Sequence, residues 1–167
     1  MEDFKTDAAL AANGDTEAFA RLYSAIYKDL YHIALYCLGN THDACDAVSD
    51  TVVDAFTSIG KLRDENAFRQ WIMKILSAKI KRKQREYINN KSVEYDESCG
   101  LTADFCFESA ELQEALGTLD TESRNILSMS AIGGYTTKEI ADICKINHST
   151  VRSKLSRIKE KLKVILA

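Results

Sequence analysis

From Asp15 to about Leu38 apolar side chains return every three or four positions (Phe19, Leu22, Tyr23, Ile26, Leu30, Ile33, Ala34, Cys37), which predicts one long helix with a single buried stripe. Gly39-Asn40 ends it. Thr41 opens a second helical run, in which Ala44, Val48, Val52, Ala55 and Ile59 form an apolar face while Asp43, Asp46, Asp50 and Asp54 form an acidic one; Gly60 closes it. After a charged turn from Lys61 to Asn66, the period continues through Phe68, Trp71, Ile72, Ile75, Leu76 and Ile80 and carries the same helix into a basic cluster. These elements predict a compact helical domain over residues 1–88.

Residues 89–108 show no sustained period and are strongly acidic, the composition of a linker, and a like-charged tether is expected to be extended. A second domain is predicted over residues 109–167, beginning with two helices marked by Leu112, Leu116, Leu119, Ile126, Leu127 and Met129 and broken near Gly117 to Thr121. No proline interrupts any of these runs, so the pattern predicts an all-α protein of two small helical domains.

The last third of the chain carries the most specific local signal. Gly133-Gly134-Tyr135 breaks a helix, and Thr136 three residues before Glu139 has the spacing of a capping box that starts the next one. A short helix with Ile140, Ala141 and Ile143 inward is followed by a turn at Cys144-Lys145-Ile146, and Asn147 caps a final helix anchored by Val151, Leu155, Ile158 and Leu162. This order predicts a helix-turn-helix, with small Ala141 at the helix crossing and Ile146 plugging the turn. Placing those positions inside leaves His148, Ser149, Thr150, Arg152, Ser153, Lys154, Ser156 and Arg157 outside. Arg and Lys pair with guanine edges and phosphates, and small hydroxyl residues allow close approach to a DNA backbone.

Charge sharpens this picture. The net charge is −3, from 22 basic and 25 acidic residues, yet the charges are segregated. Lys74, Lys79, Lys81, Arg82, Lys83 and Arg85 cluster in the third long helix, a second basic cluster fills the C-terminus, and no Lys or Arg falls between Ser92 and Glu122. Nucleic-acid binding depends on such local potential rather than on the total. Asp43, Asp46, Asp50 and Asp54 recur at steps of three and four, so they share one helix face and call for a basic partner.

Other chemistries find little footing. The five cysteines include no CxxC pair, which points to free thiols in a reducing compartment. His32, Cys37, His42 and Cys45 lack a recognised zinc spacing, so no metal and no other cofactor is assigned. There is no glycine-rich phosphate loop and no nucleophile-base arrangement, so no enzymatic activity is assigned. The absence of a long apolar run or a secretory leader predicts a cytoplasmic protein without membrane insertion.

The segments Leu119-Asp-Thr-Glu-Ser-Arg124, Gly134-Tyr-Thr-Thr-Lys-Glu-Ile-Ala141 and Ile146-Asn-His-Ser-Thr-Val-Arg-Ser-Lys-Leu-Ser-Arg157 resemble, in order and spacing, the promoter-binding fourth domain of extracytoplasmic-function sigma factors. Asp120 stands where that family usually has proline and Lys145 where it usually has the turn glycine. The resemblance implies contact with the upstream (minus thirty-five) promoter element by His148, Ser149, Thr150, Arg152, Ser153, Lys154 and Arg157. Ala44-Cys-Asp-Ala-Val-Ser-Asp-Thr51 resembles the segment that docks on core RNA polymerase, which gives Asp43, Asp46, Asp50 and Asp54 that role. Phe68-Arg-Gln-Trp-Ile-Met-Lys-Ile75 resembles the helix that engages the downstream (minus ten) element and helps open the duplex. Trp71, Lys74, Lys79, Lys81, Arg82 and Arg85 are the implied contacts, although the apolar period of Trp71 favours a core role and Ala78 and Arg82 stand where the family often has Asn and Asp.

The expectation is therefore an alternative sigma factor whose partners are core RNA polymerase and promoter DNA, with an anti-sigma protein as a regulator that the resemblance implies. A competing reading is an autonomous helix-turn-helix regulator with a helical sensor or dimerisation domain, which would footprint a palindrome without polymerase.

Overall fold

The computed structural model describes residues 4–90 and 110–166, and every regular element among them is helical. Residues 91–109, most of the expected linker, together with Cys99 and Cys106, lie outside the described residues.

Four helices form the N-terminal unit: α1 (Phe4–Ala12), α2 (Thr16–Leu38), α3 (Thr41–Ser58) and α4 (Phe68–Asn89), with 3₁₀ turns at Ile59–Lys61 and Glu65–Ala67 between the last two. The boundaries follow from capping. Asp15 Oδ1 accepts the Ala18 N–H at 3.1 Å to start α2, and Gly39 ends it in the left-handed conformation (φ 66°), its N–H donating to Leu35 O at 2.8 Å. Asn40 immediately caps α3 by accepting the Asp43 N–H at 3.0 Å. The predicted stripes are the core: Leu22, Leu30 and Ile33 of α2, Ala44 and Ala55 of α3, and Phe68, Ile72, Leu76 and Ile80 of α4 are buried.

The sequence pattern had offered no α1. Its inward residues are chiefly the small Ala8 and Ala11, too short a stripe to register, and it is fixed from outside itself by Phe4 stacked on Phe68 (6.4 Å between centroids) and by an Asp7–Arg21 ion pair of 2.7 Å. Trp71 is half-buried against the core and tilted on Phe68, which agrees with a packing role.

The C-terminal unit is α5 (Ala110–Gly117), α6 (Thr121–Ala131), α7 (Thr137–Cys144) and α8 (His148–Leu166). Asp120, in the place of the family's proline, caps α6 by accepting the Ser123 N–H at 2.7 Å. That hydrogen bond, aided by Lys154 and Lys161, holds its carboxyl below the usual carboxylate range. A carboxylate with a lowered native pKa stabilises the fold above its unfolded value and loses that contribution as pH falls through the native value. Asp120→Ala should therefore cost about 1 kcal/mol at neutral pH and show a smaller difference from wild type in thermal melts below about pH 4.

The two units share one continuous apolar core, in which Ile126, Met129, Tyr135, Ile140 and Cys144 join the residues of α2 and α4. Helix α6 lies on α2, and α7 lies on α4. Cys37 and Cys144 are buried free thiols near this seam, with burial pushing the Cys37 thiol up to about 12, whereas Cys45 is exposed.

Candidate promoter and polymerase interfaces

The helix-turn-helix is built as its sequence predicts. Thr136 Oγ1 accepts the Glu139 N–H at 3.2 Å while Glu139 Oε2 accepts the Thr136 N–H at 2.8 Å, completing the capping box of α7. The turn then requires a left-handed residue, and Lys145 supplies it at φ 57°, ψ 42°, the one non-glycine with positive φ among the described residues. Its N–H and that of Ile146 both donate to Ala141 O, so the backbone accounts for the tightness of the turn. A Cβ is strained there, and Lys145→Gly should raise stability by about 0.5–1 kcal/mol, seen as a melting temperature about 1–4 °C higher.

Helix α8 is held by buried Val151, Leu155 and Ile158. On its opposite side Ser149, Arg152, Ser153, Ser156 and Arg157 are exposed and line one shallow groove. The remaining members of the predicted upstream set face the protein more closely. His148 Nε2 is 2.7 Å from Thr137 Oγ1, Thr150 is half-buried, and Lys154 reaches Glu122 at 2.5 Å. Periodicity alone does not separate these from the groove residues, because the partners Thr137 and Glu122 come from other helices.

The basic side chains of α4 divide between two neighbours. Lys79, Arg82 and Lys83 turn toward α3, while Lys74 and Lys81 turn toward α7. Arg85 is exposed, as is Ala78.

The four aspartates of α3 do share a face, but that face is not without local counter-charge. Lys79 meets Asp54 at 2.5 Å, Arg82 meets Asp50 at 3.2 Å, and Lys83 lies 3.6 Å from Asp43 and 3.8 Å from Asp46. Tyr87 OH also donates to Asp43. The acidic stripe and the basic cluster, separate in sequence, are thus the two sides of one seam between antiparallel helices. Asp46, Asp50 and Asp54 each keep half their side-chain surface exposed (51%), so a second cation can still reach them. Beside them on α3, Val53 and Phe56 are exposed apolar side chains that the charge pattern had not singled out.

Two segments match known families: residues 22–87 match sigma-70 region 2, and residues 109–162 match sigma-70, region 4. These are the helices that carry the seam and the helix-turn-helix. Together the two sigma-70 regions span most of the chain, and with ECF RNA polymerase sigma factors among its relatives the chain belongs to the extracytoplasmic-function sigma factors. It is similar to RNA polymerase sigma factor SigV of Bacillus subtilis (24% identical, covering 83% of this chain and 85% of that one). It is also similar to RNA polymerase sigma factor CnrH of Cupriavidus metallidurans (27% identical, covering 95% and 92%). The solved structure of CnrH in complex with the cytosolic domain of CnrY superposes with a TM-score of 0.77 at 26% identity, over 99% of this chain and 97% of that one. The fold is shared as well with sigma factor RpoE in complex with the anti-sigma factor NepR from Bartonella quintana (TM-score 0.74, 18% identity, 90% and 98% covered). The presence of both sigma regions in one chain carries the sigma-factor reading over the autonomous regulator. This protein is an alternative sigma factor that directs transcription initiation, hence a transcription regulator. Among the described residues no helix is long and apolar enough to cross a membrane.

Proposed function

We propose that the sigma factor divides its work among three faces and contributes no chemical step of its own. The exposed groove of α8, with Arg152 and Arg157 between Ser149, Ser153 and Ser156, reads the upstream element; this groove is the observation that carries the proposal. Two guanidiniums among small hydroxyl residues suit a major groove, where arginine pairs bidentately with guanine while the backbone is approached closely. His148, Thr150 and Lys154, half-buried at the start and flank of the helix, are assigned to its positioning and to phosphate contact.

The α3 face docks on core RNA polymerase through Asp46, Asp50 and Asp54, with Asp43 deeper in the seam. An exposed ion pair such as Arg82–Asp50 contributes only about 0–1 kcal/mol, so a basic partner surface exchanges for Arg82 there at small cost. Val53 and Phe56 add apolar area beside the charges, the composition of a protein contact rather than of a solvated face. Helix α4 supplies Lys74, Lys79, Lys81, Arg82 and Arg85 to phosphates near the downstream element, with Trp71 positioned through the core.

The chain is organised in this reading as a docking and downstream domain over residues 1–88, a connector over 89–108 and an upstream-reading domain over 109–167. It acts in the cytoplasm. CnrH was solved with the cytosolic domain of CnrY and RpoE with the anti-sigma factor NepR, and an anti-sigma protein is expected here by that likeness.

Docking is tested by co-purification. The Asp46→Lys, Asp50→Lys double variant should bind core polymerase at least about tenfold more weakly, since reversing the charges in a complementary interface costs several kcal/mol. Unchanged association would remove α3 from the docking surface.

A further inference from the structure

Two concave surfaces meet on α8. Arg157 lines the shallow groove that holds Arg152 and the three serines, and it also lines a second cleft of about 290 Å³ between α8 and the corner joining α5 to α6. Lys154 and Lys161 bring two more cations to that cleft, opposite Thr118, Asp120 and Ser123. Both lysines are committed across it. Lys161 Nζ donates to Thr118 O at 3.0 Å, and Lys154 Nζ donates to Glu122 Oε2 at 2.5 Å. Asp120 is committed as the cap of α6, accepting the Ser123 N–H at 2.7 Å. Glu122 has no such duty, and 47% of its side chain is exposed against 25% for Lys154.

Lys154 stands three residues before Arg157 and is therefore its neighbour on the helix surface. A duplex whose base edges face Arg152 and Arg157 brings its backbone along the flanks of α8, where Lys and Arg bind phosphate oxygens. Lys154 is the flank cation between groove and cleft, yet its ammonium is turned to a carboxylate. Glu122 then opposes an approaching phosphate in two ways. It holds the ammonium that would pair with the phosphate, and its own negative charge repels it.

We infer that Glu122 is an affinity-limiting residue of the upstream contact: its carboxylate takes the Lys154 ammonium that a DNA phosphate would otherwise take. Selection of the promoter is left to Arg152 and Arg157, with one sequence-independent contact fewer. No helix moves and no apolar contact is broken; one side chain changes partner. This role rests on the assignment of α8 to DNA, and it limits the phosphate contact that Lys154 can make.

The test titrates full-length protein into a short fluorescein-labelled duplex of mixed sequence and follows anisotropy across salt concentration, because a phosphate contact is common to every sequence. Glu122→Gln should tighten binding roughly 5- to 10-fold at about 0.1 M salt and steepen the plot of log affinity against log salt by about 0.9, the contribution of one added phosphate contact. Glu122→Ser, a second neutral replacement at this exposed position, should give the same gain, so that a local defect in one variant is recognised. Lys154→Ala introduced into Glu122→Gln should cancel the gain in both affinity and slope, since no ammonium is left to take the phosphate.

Affinity that is unchanged or weaker with both replacements of Glu122, or a gain that persists without Lys154, overturns the limiting role. The Arg152→Ala, Arg157→Ala variant on the same duplex separates the two levels of failure. Binding that falls with the arginines and ignores Glu122 rejects the role of Glu122 alone. Binding that ignores the arginines and Glu122 alike rejects α8 as the DNA-binding helix and the limiting role with it.

Discussion

Replacing Arg152 and Arg157 together with alanine is expected to lower transcription from promoters carrying the upstream element by roughly 10- to 1000-fold, with co-purification on core polymerase unchanged. Each arginine is exposed on the face of α8 opposite Val151, Leu155 and Ile158, so truncating it leaves the helix-turn-helix packed. A bidentate arginine–guanine contact discriminates by about 1–3 kcal/mol, and losses of about 1–2 kcal/mol at each of the two, about 2–4 kcal/mol together, fall within the stated range. Lys154→Ala should have a smaller effect, because its ammonium already lies 2.5 Å from Glu122 and only a quarter of its side chain is exposed. Run-off transcription on one promoter with all three single variants checks the ranking, and equal losses for Lys154 and Arg152 would contradict the division of the helix into a reading face and a packed flank.

The second large effect concerns stability. Phe68 is 1% exposed at the start of α4, where it meets Phe4 at 6.4 Å and Trp71 at 6.1 Å between ring centroids. Phe68→Ala removes a fully buried aromatic ring at the point where α1, the 3₁₀ turn at Glu65–Ala67 and α4 meet. The expected cost is about 3–5 kcal/mol, a large share of the roughly 5–15 kcal/mol by which domains are stable. At about 2–4 °C per kcal/mol for a chain of this size, the melting temperature should fall by roughly 6–20 °C. A loss below about 1 kcal/mol would mean that the ring is not part of the core.

Those two positions mark what local pattern can and cannot disclose. Phe68 declares itself through its period with Ile72, Leu76 and Ile80, and the helix-turn-helix through the capping box at Thr136 and Glu139, because both signals are contained within a few helical turns. Lys145, too, was marked by its place in the turn, and its φ of 57° shows the conformation that glycine would serve better. What was hidden depends on pairing between distant helices. The acidic and basic stripes of α3 and α4 each read as a face awaiting a partner, yet Lys79, Arg82 and Lys83 already meet Asp54, Asp50 and Asp43 across a loop. Gln84 continues the four-residue step of Phe68, Ile72, Leu76 and Ile80, but its burial, a polar group among apolar ones, is explained only by its partners Asn125 of α6 and Cys37 O of α2. Tyr135 likewise reads as part of a helix-breaking turn until its ring is found against Arg69.

Helices α3 and α4 are therefore not two independent surfaces. The exposed Arg82–Asp50 pair of their seam is of low individual worth, which suits a face that exchanges an internal partner for an external one. In the proposed division of faces, polymerase claims the carboxylates and DNA the cations, and each event weakens the pairing that opposes the other.

The most direct measurement is run-off transcription reconstituted from purified chain and core RNA polymerase on genomic fragments. The prediction is discrete transcripts that require both components, start at defined positions, and disappear with the Arg152→Ala, Arg157→Ala variant while polymerase association persists. Discrete starts that are unchanged by that variant would contradict the assignment of α8 as the upstream reader, and the absence of any chain-dependent transcript would contradict promoter-directed initiation by this protein.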